Sequence, residues 1–234
     1  MKILAIDTSS EACSAALNIN GEILTKFELA PQQHANYILC QIDQLVSESE
    51  VQLSQLDAIA FGKGPGSFTG LRIAAGVTQG IAYGSDLPVI GVSTLSALAQ
   101  QCAIAQEQNL IFAAIDARMN EAYCSVYSTD DSGLVKPLME EIVAKPSELK
   151  LPDTLDDKLP INRIGTGFRE FEKEFATLLE GFNLSICLQD KLPSAKEVSV
   201  LAINQFRNGA ILKPELAIPT YLRNDVAKKS AQLQ

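Results

Sequence analysis

The 234 residues contain no tryptophan, a single histidine (His34) and no two cysteines at CxxC spacing. Each scarcity removes a class of function. One imidazole cannot build a zinc or iron centre that needs several. The five cysteines, Cys13, Cys40, Cys102, Cys124 and Cys187, are odd in number and scattered. They read as free thiols in a reducing compartment, not as a disulfide framework or a zinc site. Basic residues are outnumbered, 19 Lys and Arg against 28 Asp and Glu, for a formal net charge of −9. A chain of that sign repels phosphate backbones, so work on RNA would need a basic partner to grip it. Only four apolar residues separate Lys2 from Asp7, which is no secretory leader. The longest uncharged run, Leu87 to Gln106, is broken by Pro88, Gly91 and glutamines and predicts no membrane span. The expected location is the cytoplasm, with no membrane contact.

Hydrophobic residues make up 47% of the chain and charged ones 20%, enough to bury a real core in one domain or two small ones. The organising stretch is Gly62-Lys63-Gly64-Pro65-Gly66-Ser67-Phe68-Thr69-Gly70-Leu71-Arg72. It follows a short apolar strand, Leu56 to Phe61, and opens a helix from Leu71 to Gly84. Glycines permit close backbone approach, and Ser67 or Thr69 can cap the first turn. A strand-to-helix corner of this kind can cradle an anion on its free amides. The spacing matches neither Walker A nor the dinucleotide fingerprint, so a ligand-free tight corner is an equal alternative.

The helix has no charge from Ile73 to Ser85, and Gly76, Gly80 and Gly84 recur every four residues on one stripe. Each interior glycine costs about 1 kcal/mol relative to alanine, which close approach of another helix could offset. We expect two buried faces, one on the protein's own sheet and one against another subunit. A second amphipathic helix, about His34 to Glu48, has Ala35, Ile38, Leu39, Ile42, Leu45 and Val46 at helical spacing. The expected subunit interface therefore comprises His34, Ile38, Ile42, Leu45, Leu71, Arg72, Ala75, Gly76, Gly80 and Gly84. A lone histidine such as His34 is more often a cap or packing residue than a catalyst.

In chain order, Ile3 to Ile6 is a buried strand ending at Asp7-Thr8-Ser9-Ser10, and a strand from Cys13 to Ile19 turns at Asn20-Gly21 into Glu22 to Glu28. Asp7 with three hydroxyls could hold a metal-bound phosphate, or simply bond its own turn. Val89 to Val92 is a strand and Ser93 to Ala99 starts a helix. The second half opens alike, with Leu110 to Ile115, Asp116-Ala117-Arg118, then Ala122 to Tyr127. Ile6-Asp7 leading to Cys13-Ser14 parallels Ile115-Asp116 leading to Cys124-Ser125. This weak repeat suggests two related α/β lobes, residues 1–107 and 108–234, facing a cleft. Beyond these lie an expected strand Leu138 to Ala144, a loop to Pro160, a strand Ile161 to Gly165, and helices Phe168 to Leu179 and Pro193 to Asn208. The tail after about 210 is expected to pack back on the first lobe, and residues past Val226 to fray. Candidate nucleotide or phosphate contacts are Asp7, Thr8, Ser9, Ser10, Gly64, Gly66, Ser67, Thr69, Asp116 and Arg118.

Ile6-Asp7-Thr8-Ser9-Ser10, the run from Phe61 to Ala82, Ile115 to Tyr123 and the Pro219 to Arg223 tail together resemble the TsaB (YeaZ) family over nearly the whole length. The resemblance implies two actin-like (ASKHA) lobes and paralogy to TsaD, the catalytic subunit that forms threonylcarbamoyladenosine in tRNA. It implies a cytoplasmic homodimer that exchanges its partner for TsaD, with the ATPase TsaE joining and tRNA reached only through the complex. TsaD-like proteins carry a pair of metal-binding histidines where this chain has Gly91 to Ala99, without a histidine. The hairpin after Asp7 also lacks the glycine of the actin-like Asp-x-Gly-Thr pattern. We therefore expect a non-catalytic subunit with no catalytic residue, no metal and no cofactor of its own. ATP or ADP would enter only in a complex. The alternatives are a stand-alone actin-like ATPase or small-molecule kinase using Asp7, Asp116 and Gly64 to Thr69, or a glycoprotease-type metallopeptidase. A serine-protease reading of Ser67 would need His34 as base and lacks the nucleophile-elbow glycines.

Overall fold

Strand β1 (Lys2–Asp7) is apolar from Ile3 to Ile6 because both its faces are covered. Leu4 and Ile6 enter one core while Ile3 and Ala5 enter another on the opposite side, the two-residue period of a pleated strand. The computed structural model describes residues 1–103 and 109–223. Around β1 lie β2 (Ala12–Ile19), β3 (Glu22–Leu29), β4 (Ala58–Gly64) and β5 (Val89–Ser93), in the order β3-β2-β1-β4-β5. β1 and β2 are antiparallel in the register Asp7↔Ser14, and β1 and β4 are parallel. Asn20 and Gly21 both take positive φ, which closes the β2–β3 hairpin.

The second sheet repeats this plan. β6 (Leu110–Asp116), β7 (Ala122–Thr129), β8 (Val135–Pro137), β9 (Ile142–Ala144), β10 (Ile161–Ile164) and β11 (Leu184–Leu188) give the order β11-β10-β6-β7-β8, with β9 also on β7. Both sheets are an antiparallel meander followed by parallel strands, which makes the chain a two-lobed actin-like α/β fold. The repeat holds for topology but not for the Cys-Ser pairs. Ser14 faces Asp7 across its ladder, whereas Ser125 faces Ala113 and Asp116 faces Ala122.

Helices α1 (His34–Ser49) and α2 (Phe68–Ser85) cover one face of the first sheet. Its other face is covered by α6 (Ala195–Arg207), through Ala195, Val198, Leu201 and Ala202. The expected boundary is thereby corrected. α6 follows the second sheet in sequence but belongs to the first lobe, so the chain crosses back near Leu192, well before residue 210. The expected cut at 107/108 lies outside the described residues. α3 (Thr94–Gln100) goes the other way, laying Leu95, Leu98 and Ala99 on the second sheet. α4 (Gly167–Glu170) and α5 (Glu172–Leu178) cover its far face with Phe168, Phe171 and Phe175 around Phe112.

Three further expectations change. Of the expected strand Leu138 to Ala144 only Ile142–Ala144 (β9) is extended in the sheet, β8 ending before it at Pro137, and Phe171 leaves helical geometry and splits the helix 168–179. β11, exposed at four of its five residues, carries no burial pattern to read. In α1 the inward set is His34, Ile38, Gln41, Ile42 and Leu45, while Ala35 and Leu39 face out. Gln41 takes an inward place because its amide donates to the Cys13 carbonyl at 3.2 Å.

Candidate functional site

The glycine corner is shaped to meet its own hairpin. Ser67 is the N-cap of α2, its hydroxyl accepting from the Gly70 amide at 3.3 Å, while Thr69 is exposed on the first turn. The Ser67 amide donates to the Ser9 carbonyl and the Thr8 hydroxyl donates to the Gly70 carbonyl, both at 2.7 Å. A carbon added at Gly66 would overlap the Ser9 carbonyl, and one at Gly70 the Thr8 carbonyl. Gly64, at φ +113°, would place one 2.6 Å from the Thr220 carbonyl. The cradle expected to hold an anion is filled by Thr8 and Ser9.

Asp7 lies beneath this contact and is fully buried. Its Oδ1 accepts from the Ser9 amide at 3.0 Å and the Ser9 hydroxyl at 2.8 Å. Its Oδ2 has no partner among the described residues. Burial pushes the Asp7 pKa up to about 6, with the two Ser9 bonds holding it back. Asp7 also helps burial raise the neighbouring Cys13 thiol to about 11. Asp7 and Thr8 are closed to solvent, Ser9 keeps only a trace of exposure, and Gly64 is buried under the tail.

A cleft of about 520 Å³ opens between the lobes. Of the expected contacts, Ser9, Ser10, Gly66 and Ser67 line it from the first lobe, and Asp116 and Arg118 from the second. Asp7, Thr8, Gly64 and Thr69 lie outside its lining. The cleft charges are largely matched: Arg118 pairs with Asp116 at 3.0 Å and Glu11 at 3.7 Å, and Arg169 with Asp190 at 2.8 Å. A magnesium nucleotide anchored on Asp7 does not fit these residues. Nor does a histidine-bound metal. His34 is buried with Nε2 2.9 Å from the Ser10 carbonyl, and no three His, Cys, Asp or Glu converge among the described residues.

The outer face of α2 is a different surface. Leu71, Ala74, Ala75, Thr78 and Ala82 pack inward, while Arg72, Gly76, Gly80 and Gly84 are exposed. A Cβ on any of the three glycines would meet no atom within 4 Å. Tyr83, 82% exposed, stands beside the stripe. The tail runs alongside: the Ala217 carbonyl accepts from the Gln79 amide at 3.1 Å, and Tyr221 stacks near Phe68 with ring centres 5.4 Å apart. Gly76, Gln79, Gly80, Tyr83, Pro214 and Glu215 line a shallow groove between them. Leu216, Ile218 and Tyr221 extend the apolar strip.

The expected interface set divides accordingly. His34, Ile38, Ile42, Leu45, Leu71 and Ala75 are buried in their own lobe, because the apolar stripe of each helix is used on the sheet. Arg72, Gly76, Gly80 and Gly84 remain on the surface. No pattern in the sequence marks Tyr83, whereas the Pro219 to Arg223 segment carries a signal for the tail.

A family model described as "TsaD: tRNA N6-adenosine threonylcarbamoyltransferase" matches residues 26–231. A relative from Escherichia coli (strain K12), called tRNA threonylcarbamoyladenosine biosynthesis protein TsaB, is 38% identical over 98% of this chain and 97% of its own. The protein of the same name from Haemophilus influenzae is 37% identical over 98% and 96%. A solved structure described as YeaZ from Pseudomonas aeruginosa superposes with a TM-score of 0.80 at 37% identity, covering 94% of this chain and 99% of that one.

Proposed function

The chain belongs to the TsaB (YeaZ) family, and on that premise we propose that it acts in tRNA threonylcarbamoyladenosine biosynthesis as a non-catalytic partner subunit. The observation that carries this reading is the outer face of α2. It is uncharged from Ile73 to Ser85 and carries three glycines with nothing above them. Glycines on an exposed helix face weaken the helix for no gain within the chain. They permit another helix to approach closely, with Tyr83 and the tail supplying apolar area around the contact. The partner is the catalytic paralogue TsaD, and a second copy of this chain occupies the same face when TsaD is absent. TsaE joins that complex, and tRNA is reached through it, in keeping with a net charge of −9 here.

In this reading the threonylcarbamoyl transfer to the adenosine beside the anticodon takes place on TsaD. This chain stabilises or shapes the active assembly, and ATP or ADP enters only there. Reconstitution tests it. Purified TsaD and TsaE with tRNA, ATP and threonylcarbamoyl-adenylate should modify tRNA efficiently only when this chain is added. Equal modification without it, or turnover by this chain alone, would overturn the proposal.

A further inference from the structure

The turn between β6 and β7 is wound the wrong way. Arg118, Met119 and Asn120 all take left-handed backbone angles, at φ 61°, 59° and 60°. Side-chain-bearing residues rarely adopt that region, and three in succession persist only where neighbours impose them. Met119, 65% exposed, gains nothing by burial there.

Neighbouring groups impose the turn from two sides. Within the turn, the Ala117 amide donates to the Glu121 carbonyl at 2.9 Å and the Glu121 amide to the Arg118 carbonyl at 3.1 Å. Across the lobes, the Arg223 guanidinium donates to the Ala117 carbonyl at 3.3 Å and the Arg118 carbonyl at 3.5 Å, and pairs with Glu121. Arg223 follows a segment fastened to the first lobe. The Thr220 amide donates to the Lys63 carbonyl at 2.7 Å, and the Arg72 side chain donates to the Tyr221 hydroxyl at 3.1 Å. From the cleft side, Arg118 reaches Glu11 of the first lobe.

We propose that Arg223 pins an interlobe latch: it holds the Arg118–Met119–Asn120 turn in its left-handed form and so sets how far the cleft stands open. The latch is a positioning device, and it stands whether or not α2 is the docking face. Its test uses the isolated chain. Hydrogen exchange should show the Ala117 and Glu121 amides opening roughly tenfold faster in Arg223→Ala, with β1 and α6 unchanged. Arg223→Lys, whose single ammonium can hold Glu121 but not both carbonyls, should be intermediate, and it carries the test if the alanine variant does not fold. Met119→Gly relieves the backbone cost and should shrink the effect of losing Arg223.

A second readout reports lobe spacing. Cys40 and Cys187 are exposed on opposite lobes, while Cys13, Cys102 and Cys124 are buried, so a dye pair can be placed without mutation. Energy transfer should be narrowly distributed in the native chain and broader in the Arg223 variants. Unchanged exchange in the turn of folded variants, exchange that rises equally everywhere, or an unchanged transfer distribution would each overturn the latch.

Discussion

Gly62 lies against Asp7 so closely that a side-chain carbon at position 62 would overlap Oδ2 of the carboxylate. That oxygen also has no hydrogen-bond partner among the described residues. The fold therefore buries a carboxylate that is satisfied on one side only, which ordinarily costs stability when the group ionises.

The sign and size of that cost can be tested. Asp7 titrates near 6 in the folded chain against an ordinary 3.8. The folded state thus holds this proton more tightly than the unfolded state. The stabilisation is complete below about pH 3.8 and is lost as pH rises through about 6. The loss amounts to about 3 kcal/mol. Asp7→Asn keeps an Oδ1 acceptor for Ser9 and removes the charge. It should melt higher than the native chain at pH 8 and gain nothing at pH 4. A variant whose advantage did not grow with pH would show that the carboxylate is not held as described.

The glycines of the corner and those of the stripe should respond oppositely to alanine. At Gly70 the new methyl meets the Thr8 carbonyl and must also disturb the Thr8 hydroxyl bond to the Gly70 carbonyl. Gly70→Ala should cost about 1–3 kcal/mol or more by overpacking. At Gly80 the methyl meets open space, and Gly80→Ala should stabilise the helix by about 1 kcal/mol. Gly80→Leu should leave the monomer folded yet weaken both self-association and TsaD binding. Thermal melts read the first pair, and sedimentation with a TsaD pull-down reads the last.

The same contrast shows what a sequence can convey. The runs Ile3 to Ile6 and Leu110 to Ile115 announced buried strands, and their Asp termini announced a duplicated plan, because a strand covered on both faces must be apolar throughout. Periodicity reports which side of a helix is apolar but not which sheet receives it. For that reason periodicity does not reveal that α6 serves the first sheet, nor that Ile38, Ile42 and Leu45 serve their own core and not a partner. Glycine spacing likewise reports that something approaches the backbone closely. That the visitors were the Thr8 and Ser9 carbonyls and not a phosphate depends on the hairpin's path, which no local pattern encodes.

A polar clamp at the centre of the molecule gives a ranking to check. Glu141, in the turn between β8 and β9, accepts from the Tyr127 hydroxyl at 3.1 Å and from the hydroxyl of Ser93, at the end of β5 in the other lobe. Tyr127 is fully buried, and burial together with Glu141 pushes its pKa up. Glu141→Ala strips the acceptor from a buried phenol and should cost about 1–3 kcal/mol. Tyr127→Phe leaves Glu141 bonded to Ser93 and should cost nearer 1 kcal/mol. Urea midpoints decide the order, and a larger loss for Tyr127→Phe would mean that the phenol hydroxyl, which Ser96 also contacts at 3.4 Å, and not the carboxylate, is the centre of the clamp.

The filled corner bears on the reading of the chain as a stand-alone ATPase or kinase. Such an enzyme needs the β- and γ-phosphates on free amides at a helix start, with a carboxylate within reach of magnesium. Here the Ser67 amide is donated to Ser9, the Gly70 amide to the Ser67 hydroxyl, and Asp7 is sealed beneath Gly62. For a nucleotide to bind, the hairpin at Thr8 and Ser9 would have to withdraw, breaking two hydrogen bonds of 2.7 Å. Calorimetry of the isolated chain with ATP and magnesium should therefore show binding weaker than about 1 mM. Micromolar binding would mean that the hairpin yields readily, and it would return Asp7 and Thr8 to the list of ligand contacts.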